Sequence, residues 1–188
     1  MSTTTVPASL TGTYAVDPSH SRIGFAARHA MVTKVRGSFS EFEGTGYFDA
    51  GDPARSHLRV TVQAASIDTR NPDRDAHLRS NDFFDMETYP EITFASTVVE
   101  PIGPGEYRVT GDLTIKGITR PVSVDFAYTG AAVDPFGNRR IGLEGTTVVN
   151  RKDWGVSWNA ALEAGGVLVS EKITLEFDVS AIRVADAG

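Results

Sequence analysis

Apolar and polar residues alternate through most of this chain from Thr13 onward, and this period of two constrains the fold more than any other feature. Ile23 and Phe25, for example, fall on one face of an extended segment, and Arg22 and Arg28 fall on the other. Such alternation is typical of half-buried antiparallel strands. We distinguish about eight long runs of this kind and a short one from residue 13 to residue 16, and therefore predict an all-β protein.

Turn signals separate the alternating runs. Residues 103–105 and 116–117 predict tight turns, residues 134–138 predict a longer loop, and a change of parity near Ser40 and Glu41 predicts a β-bulge. Long antiparallel strands with one apolar face each can form either a sandwich or a closed barrel. We favour a barrel, because one apolar face on every strand and no evident protection of edge strands both fit closure.

One segment is predicted to be helical. Asn71 as N-cap, Pro72 at the first helical position and Asp73 in the first turn predict a helix from about Pro72 to Arg79. Asp75 and Arg79 have the spacing of a helical ion pair. Ser80 is predicted to cap a second short turn through residue 84, and residues 29–33 are a candidate for one more helical turn.

Length, charge and composition limit the possible functions. The 188 residues suit one domain, which we place at residues 11–184 between tails at residues 1–10 and 185–188. The net charge of -6 argues against a nucleic-acid partner. There is no cysteine, and no apolar segment approaches the roughly 20 residues that span a bilayer. The first ten residues lack the features of a secretory signal, so we expect a cytoplasmic protein.

The apolar faces also carry glycines, namely Gly37, Gly44, Gly46, Gly111 and Gly145. If those faces point inward, the glycines either leave a tunnel or mark sharp bends in the strands, and the sequence leaves both alternatives open. A strand of about 12 residues spans roughly 30 Å of a tilted barrel, which suits a long hydrocarbon chain. The residues expected to line such a bore are Ile23, Phe25, Phe39, Val60, Val62, Phe94, Leu113, Val124 and Phe126.

Catalytic motifs are not apparent. The four histidines have no metal-binding spacing, and no serine lies in a Gly-x-Ser-x-Gly elbow, so we predict no catalytic residue and no metal site. The densest group of charges lies at residues 73–82, where a solvated helix surface is the simpler interpretation. Alternatively, His77 and Arg79 lie at the barrel mouth and contact a polar head group, with His29 as a third candidate.

Several short motifs, in a fixed order, resemble the YceI-like family of lipocalin-like proteins associated with polyisoprenoid binding. The resemblance covers about residues 12–184. The motifs are Tyr14-x-Val16-Asp17-x-x-His20-Ser21-x-Ile23-x-Phe25, Val35-x-Gly37-x-Phe39-x-x-Phe42-x-Gly44, Ser66-Ile67-Asp68-Thr69, Arg74-Asp75-x-His77-Leu78-Arg79-Ser80-x-Asp82-Phe83-Phe84, Tyr89-Pro90-x-Ile92-x-Phe94, Gly111-Asp112-Leu113-Thr114-Ile115-Lys116-Gly117 and Asn150-Arg151-x-Asp153-Trp154-Gly155.

The resemblance implies an extended eight-stranded antiparallel lipocalin-like barrel, a long amphiphile such as an isoprenoid quinone, a polyprenyl chain or a fatty-acyl lipid in its bore, and a homodimer. Our leading hypothesis is accordingly a binding or carrier protein that is not an enzyme and has no cofactor other than a bound lipid. A second hypothesis is an enzyme that acts on a lipid or quinone through His29, His77 or Arg79. A third is a stress-related scaffold.

Overall fold

The structure is a computed structural model, which describes residues 5–162, 166 and 168–184. The described residues contain eleven β-strands and one α-helix. The strands are β1 Gly12–Val16, β2 Arg22–His29, β3 Thr33–Phe39, β4 Phe42–Phe48, β5 His57–Gln63, β6 Ile67–Asp68, β7 Glu91–Gly103, β8 Glu106–Ile115, β9 Ile118–Val133, β10 Arg139–Asn150 and β11 Lys172–Arg183. Helix α1 is Pro72–Arg79, and short 3₁₀ helices lie at Ala8–Leu10, Pro18–His20, Pro53–Arg55, Ala64–Ser66 and Arg151–Trp154.

The sheet closes on itself. Its order is β1-β4-β5-β7-β8-β9-β10-β11, and β11 pairs back to β1. β2 and β3 continue the sheet beyond the ends of β1 and β4. β2 pairs with β11, and β3 pairs with both β2 and β6. The described chain is therefore an eight-stranded closed antiparallel barrel with one helix, as predicted.

A two-residue break, rather than the predicted bulge within one strand, accounts for the parity change at Ser40 and Glu41. β3 ends at Phe39 and β4 begins at Phe42, and both rings belong to the same hydrophobic cluster. The backbone of the break is satisfied, because Ser40 N donates to Ser66 O at 3.3 Å and Glu41 O accepts from Gln63 N at 2.9 Å.

Helix α1 has the predicted bounds and cap, with Asn71 Oδ1 accepting from Arg74 N at 3.0 Å. The predicted ion pair between Asp75 and Arg79 is wrong. Asp75 is buried and accepts from Thr69 N at 2.9 Å and Thr69 Oγ1 at 2.6 Å. Arg79 instead donates to backbone carbonyls in the segment before the helix. Both side chains therefore hydrogen-bond to groups that the tertiary fold brings close, and they do not pair with each other.

Two further local predictions meet different outcomes. Residues 29–33 form the β2–β3 hairpin turn instead of a helical turn, because Ala30 and Met31 adopt positive φ values of 51° and 63°. A hydrogen-bonded turn does follow at Ser80, where Phe83 N donates to Ser80 O at 3.1 Å.

Part of the predicted N-terminal tail packs on the barrel. Val6 packs against a cluster around Val99 and Tyr107, and Leu10 packs against a cluster around Tyr14. The packed part of the chain thus begins before residue 11, whereas residues 1–4 and 185–188 of the predicted tails lie outside the described residues.

The connections divide between two barrel ends. What we call the helix end carries α1, the β2–β3 and β8–β9 turns and the segment that follows β10. What we call the loop end carries the β4–β5, β7–β8 and β9–β10 connections. Within the described ranges, no helix has the length and apolar character needed to cross a membrane.

On the outside of the barrel, one arginine links the β1–β2 connection to the β9–β10 connection. Arg140 Nη1 contacts Asp17 Oδ2 at 2.6 Å, and Arg140 Nε contacts Asp134 Oδ2 at 2.8 Å. Hydrogen bonds from Arg140, Ser19 and His20 hold the pKa of Asp17 well below its usual range. Burial acts to raise the pKa of Asp134, but hydrogen bonds from Arg140 and Asn138 outweigh it and lower that pKa to about 2.

We expect Asp75→Ala to lower the free energy of unfolding by about 1–3 kcal/mol, because Thr69 N is left buried without its acceptor. Asp73→Ala is the matched control, since Asp73 lies in the same first turn and is exposed. Urea unfolding followed by circular dichroism measures both variants. Equal losses for the two would contradict the role assigned to Asp75.

We expect Arg140→Met to reduce stability most at neutral pH. A carboxyl whose pKa is depressed in the folded state stabilises the fold above its unfolded pKa of about 3.9, and this contribution is lost as the pH falls through the folded value. The stability gap between the native protein and the variant should therefore be full above about pH 5 and shrink towards about pH 2. Urea midpoints across this range test it, with the exposed Arg139→Met as control; a gap independent of pH would contradict it.

Candidate functional site

The barrel encloses a cavity of about 350 Å³. Its wall is built from aliphatic and aromatic side chains of the eight ring strands and of β2 and β3. The nine apolar residues selected by parity all lie on this wall: Ile23, Phe25, Phe39, Val60, Val62, Phe94, Leu113, Val124 and Phe126.

The side chains on the wall border a void. Ile23, Phe25 and Leu113 point into the barrel but are only partly buried, because they border the cavity. Aromatic rings are grouped along the wall, with ring centroids 5.8 Å apart in both the Phe25–Phe39 and the Phe126–Phe177 pairs. Ring edges and methyl groups therefore form most of the surface that a guest would contact.

Phenylalanine rings occupy the space that glycines leave on the inner face. A Cβ at Gly111 would lie 2.5 Å from Phe94 Cζ, and one at Gly145 would lie 3.0 Å from Phe126 Cδ1. Gly37 has the same relation to the ring of Phe25. The sequence left two alternatives open for such glycines, a tunnel or a sharp bend. At these three positions the structure shows a different arrangement, because each glycine makes room for a neighbouring ring and the cavity lies between the rings.

The helix end is packed shut by apolar side chains. Phe83, Val156 and Trp154 form a buried cluster with Leu78 and Phe84 against it. Trp154 Nε1 donates to the carbonyl of Leu113 at 2.9 Å, which satisfies the indole within the cluster. Residues that follow α1 and residues that follow β10 therefore cover this end of the cavity together.

His29, His77 and Arg79, the three polar residues considered as contacts of a head group, are not among the residues that line the described cavity. His29 is exposed at the β2–β3 hairpin. His77 Nε2 contacts Asp82 Oδ2 at 2.7 Å, and its ring lies 4.6 Å from that of Trp158. Arg79 is engaged by the carbonyls of Ala65 and Ile67 at 3.0 and 3.1 Å. The structure brings these three residues neither to the cavity nor to one another's side chains.

Arg151 is a wall residue that the sequence did not single out as a site. It is 6% exposed and donates three hydrogen bonds to backbone carbonyls of the segment that follows β10. Its position in the motif that ends β10 was visible, but its burial depends on a segment up to 19 residues away in sequence.

A larger groove of about 590 Å³ lies on the outer surface and is lined by Arg22 and several carboxylates, among them Glu106, Asp125, Glu144 and Glu176. Part of this charge is paired, since Arg108 contacts Asp125 at 2.8 Å. No group of three histidine or acidic residues in the described ranges is arranged to hold a metal ion. The interior cavity is therefore the candidate site.

Comparison with known proteins gives a consistent relationship. The profile described as the YceI-like domain matches residues 14–181. A UPF0312 protein of Ectopseudomonas mendocina is 38% identical over 146 residues, which cover 77% of this chain and 76% of the relative. A UPF0312 protein of Staphylococcus aureus is 37% identical over 164 residues, which cover 87% of this chain and 93% of the relative.

Solved structures share the fold. BcnA of Burkholderia cenocepacia superposes with a TM-score of 0.78 at 25% identity and covers 88% of this chain and 98% of its own. A polyisoprenoid binding domain from Saccharophagus degradans has a TM-score of 0.67 at 13% identity, covering 91% of this chain and 98% of its own, so that likeness concerns the fold alone.

We expect Gly111→Ala to destabilise the protein by about 1–3 kcal/mol, because the added Cβ would lie 2.5 Å from both Ala95 O and Phe94 Cζ. Gly51→Ala is the control, since a Cβ there would meet only Asp49 Oδ1, at an ordinary 3.6 Å. The comparison is made on free energies of unfolding in urea. A neutral Gly111→Ala would show that both the Phe94 ring and the backbone at Ala95 can move aside.

Proposed function

The chain belongs to the YceI-like family, and from this premise we propose that it is a carrier that encloses a long-chain amphiphile in its barrel cavity. The observation that carries the proposal is the closed barrel with an apolar, unfilled interior. A cavity of about 350 Å³ falls in the range of small-molecule sites, which is about 300–1,000 Å³.

Burial of hydrocarbon supplies enough affinity for this role. Removing about ten CH₂ groups from water at about 0.8 kcal/mol each gives roughly 8 kcal/mol. Before the costs of association, that corresponds to binding in the micromolar range. A carrier therefore needs no strong polar contact to retain its ligand.

For the ligand class we propose an isoprenoid chain or a fatty-acyl chain of similar length, with an isoprenoid quinone as one candidate. The polyisoprenoid-binding description of the Saccharophagus degradans domain, which shares this fold, supports that choice. The apolar residues predicted from parity are proposed as the contacts of the chain, and they lie on the cavity wall. A homodimer and a cytoplasmic location stay predictions.

The alternative of an enzyme has less support. It requires His29, His77 or Arg79 beside the reacting lipid, and none of these three residues lines the described cavity, although the ring of His77 packs behind the wall residue Phe83. A carrier function uses the cavity without them. No contact in the described structure favours the scaffold alternative over the carrier.

The proposal is tested by extracting the purified protein with organic solvent and by native mass spectrometry of the intact complex. We expect a long-chain lipid in both. Leu143→Trp places an indole inside the cavity and should weaken binding of a long-chain probe at least about tenfold, because displacing a few CH₂ groups costs about 2 kcal/mol or more.

Thr146→Trp is the matched control, since Thr146 lies on the same strand but is exposed on the outer face. It should bind the probe as the native protein does. Equal affinities for the two variants, or a purified protein that neither carries nor takes up any long-chain lipid, would refute the carrier function.

A further inference from the structure

We propose that Arg151 is the head-group residue of the cavity and selects amphiphiles whose polar end carries acceptor oxygens, above all anionic carboxylate or phosphate groups. This inference rests on the proposed carrier function and adds to it the chemistry of the ligand's polar end. It starts from Arg151, a buried charged residue of the Asn150–Gly155 motif that lines an otherwise mostly apolar cavity.

The guanidinium of Arg151 is held in a fixed position. Nε donates to Ser170 O at 2.9 Å, Nη1 to Val156 O at 2.6 Å and Nη2 to Val169 O at 3.2 Å. A guanidinium has five N–H donors, so these bonds leave one hydrogen on each Nη. The two remaining hydrogens belong to a planar group that these three bonds immobilise, and they are the donors that we assign to a head-group oxygen.

Carbonyl groups, rather than a carboxylate, hold the guanidinium of Arg151. In the part of the chain that the structure describes, no carboxylate oxygen lies within 4.0 Å of its guanidinium. The acidic residue that acts on it electrostatically, Glu171, is itself paired with Lys152 at 2.7 Å. Burial lowers the pKa of Arg151, as expected for a cation in a poorly hydrated place. Carbonyl dipoles offset this cost only in part, and an anion beside the guanidinium would offset more.

Arg151 stands in an apolar part of the wall, at the helix end. Val149, Trp154, Val156 and Val169 line the cavity with it. Arg59, another arginine on the described wall, is exposed to solvent. An anionic head group in the cavity would therefore bind the buried guanidinium of Arg151 at the helix end.

The loop end of the cavity offers different chemistry. Tyr14, Tyr107 and Tyr128 lie on the wall there, and the hydroxyl of Tyr14 is already donated to Leu10 O at 2.7 Å. Phenol groups are neutral at physiological pH, and burial raises the pKa of Tyr107 further above its ordinary value. His57 and Arg59 also line the wall towards this end, but both are exposed to solvent, so Arg151 is the buried cation of the described wall. We therefore expect one orientation for the ligand, with its head at Arg151 and its chain towards the tyrosines.

The test compares three probes with the same tail: hexadecanoate, hexadecyl phosphate and hexadecanol. Binding is measured at pH 7.5 by displacement of a fluorescent fatty-acyl probe from the delipidated protein. We expect the native protein to bind both anions at least about tenfold more tightly than the alcohol, since charge-assisted hydrogen bonds are stronger than neutral ones, above all in a poorly hydrated site. Comparable affinities for all three probes would overturn the proposal.

Variants assign any preference to Arg151. Arg151→Gln should reduce the anion-to-alcohol ratio to near one while the affinity for hexadecanol stays within about threefold, because the apolar wall is kept. Arg151→Lys should retain part of the preference. Lys152→Gln is the control, since Lys152 is the adjacent cation but is exposed and paired with Glu171; it should keep the native ratio.

The measurements distinguish failure of the head-group role from failure of the carrier function. Arg151 also holds carbonyls of the segment after β10, so the hexadecanol affinity reports whether the Gln variant retains a folded cavity. If that variant does not fold, Arg151→Lys and the native ratio decide the question. A native ratio near one with tight hexadecanol binding refutes the head-group role alone, whereas failure to bind any of the three probes refutes the carrier function and this inference with it.

Discussion

The pairing of β11 with both β1 and β2 is the constraint on which the rest of the structure depends. One edge of β11 bonds Arg22–Ala26 of β2 along its first half and Tyr14–Val16 of β1 along its second half. The chain must therefore leave the sheet between these two partners, which it does in the 3₁₀ turn Pro18–His20. Closure removes the exposed edges of an open sheet, and it also creates the enclosed interior.

Inside the closed sheet, the fit between rings and glycines decides the shape of the cavity. Phe94 lies against Gly111 and Phe126 lies against Gly145, so each large side chain is accommodated by the absence of one on a neighbouring strand. The wall is thus closely packed at these positions, while a cavity of about 350 Å³ is left inside the barrel.

The sequence predicted what depends on local rules. The period of two identified the strands and the inward residues, and the Asn71 cap located α1, because both signals are carried by neighbouring residues. It failed where distant backbone competed for side chains: Asp75 and Arg79 have helical ion-pair spacing, but Thr69 and nearby carbonyls bind them instead. Arg151 escaped notice for the same reason, since distant carbonyls hold it on the wall.

Ligand binding and stability are linked in a barrel of this kind. At about 24 cal/mol per Å³, an unfilled apolar cavity of about 350 Å³ corresponds to about 8 kcal/mol of lost packing. That is similar to the roughly 8 kcal/mol gained by burying about ten CH₂ groups at about 0.8 kcal/mol each. It is also a large part of the 5–15 kcal/mol by which domains are typically stable. A guest that binds only the folded barrel would therefore stabilise it, by an amount that rises with the logarithm of the free guest concentration once that concentration exceeds Kd.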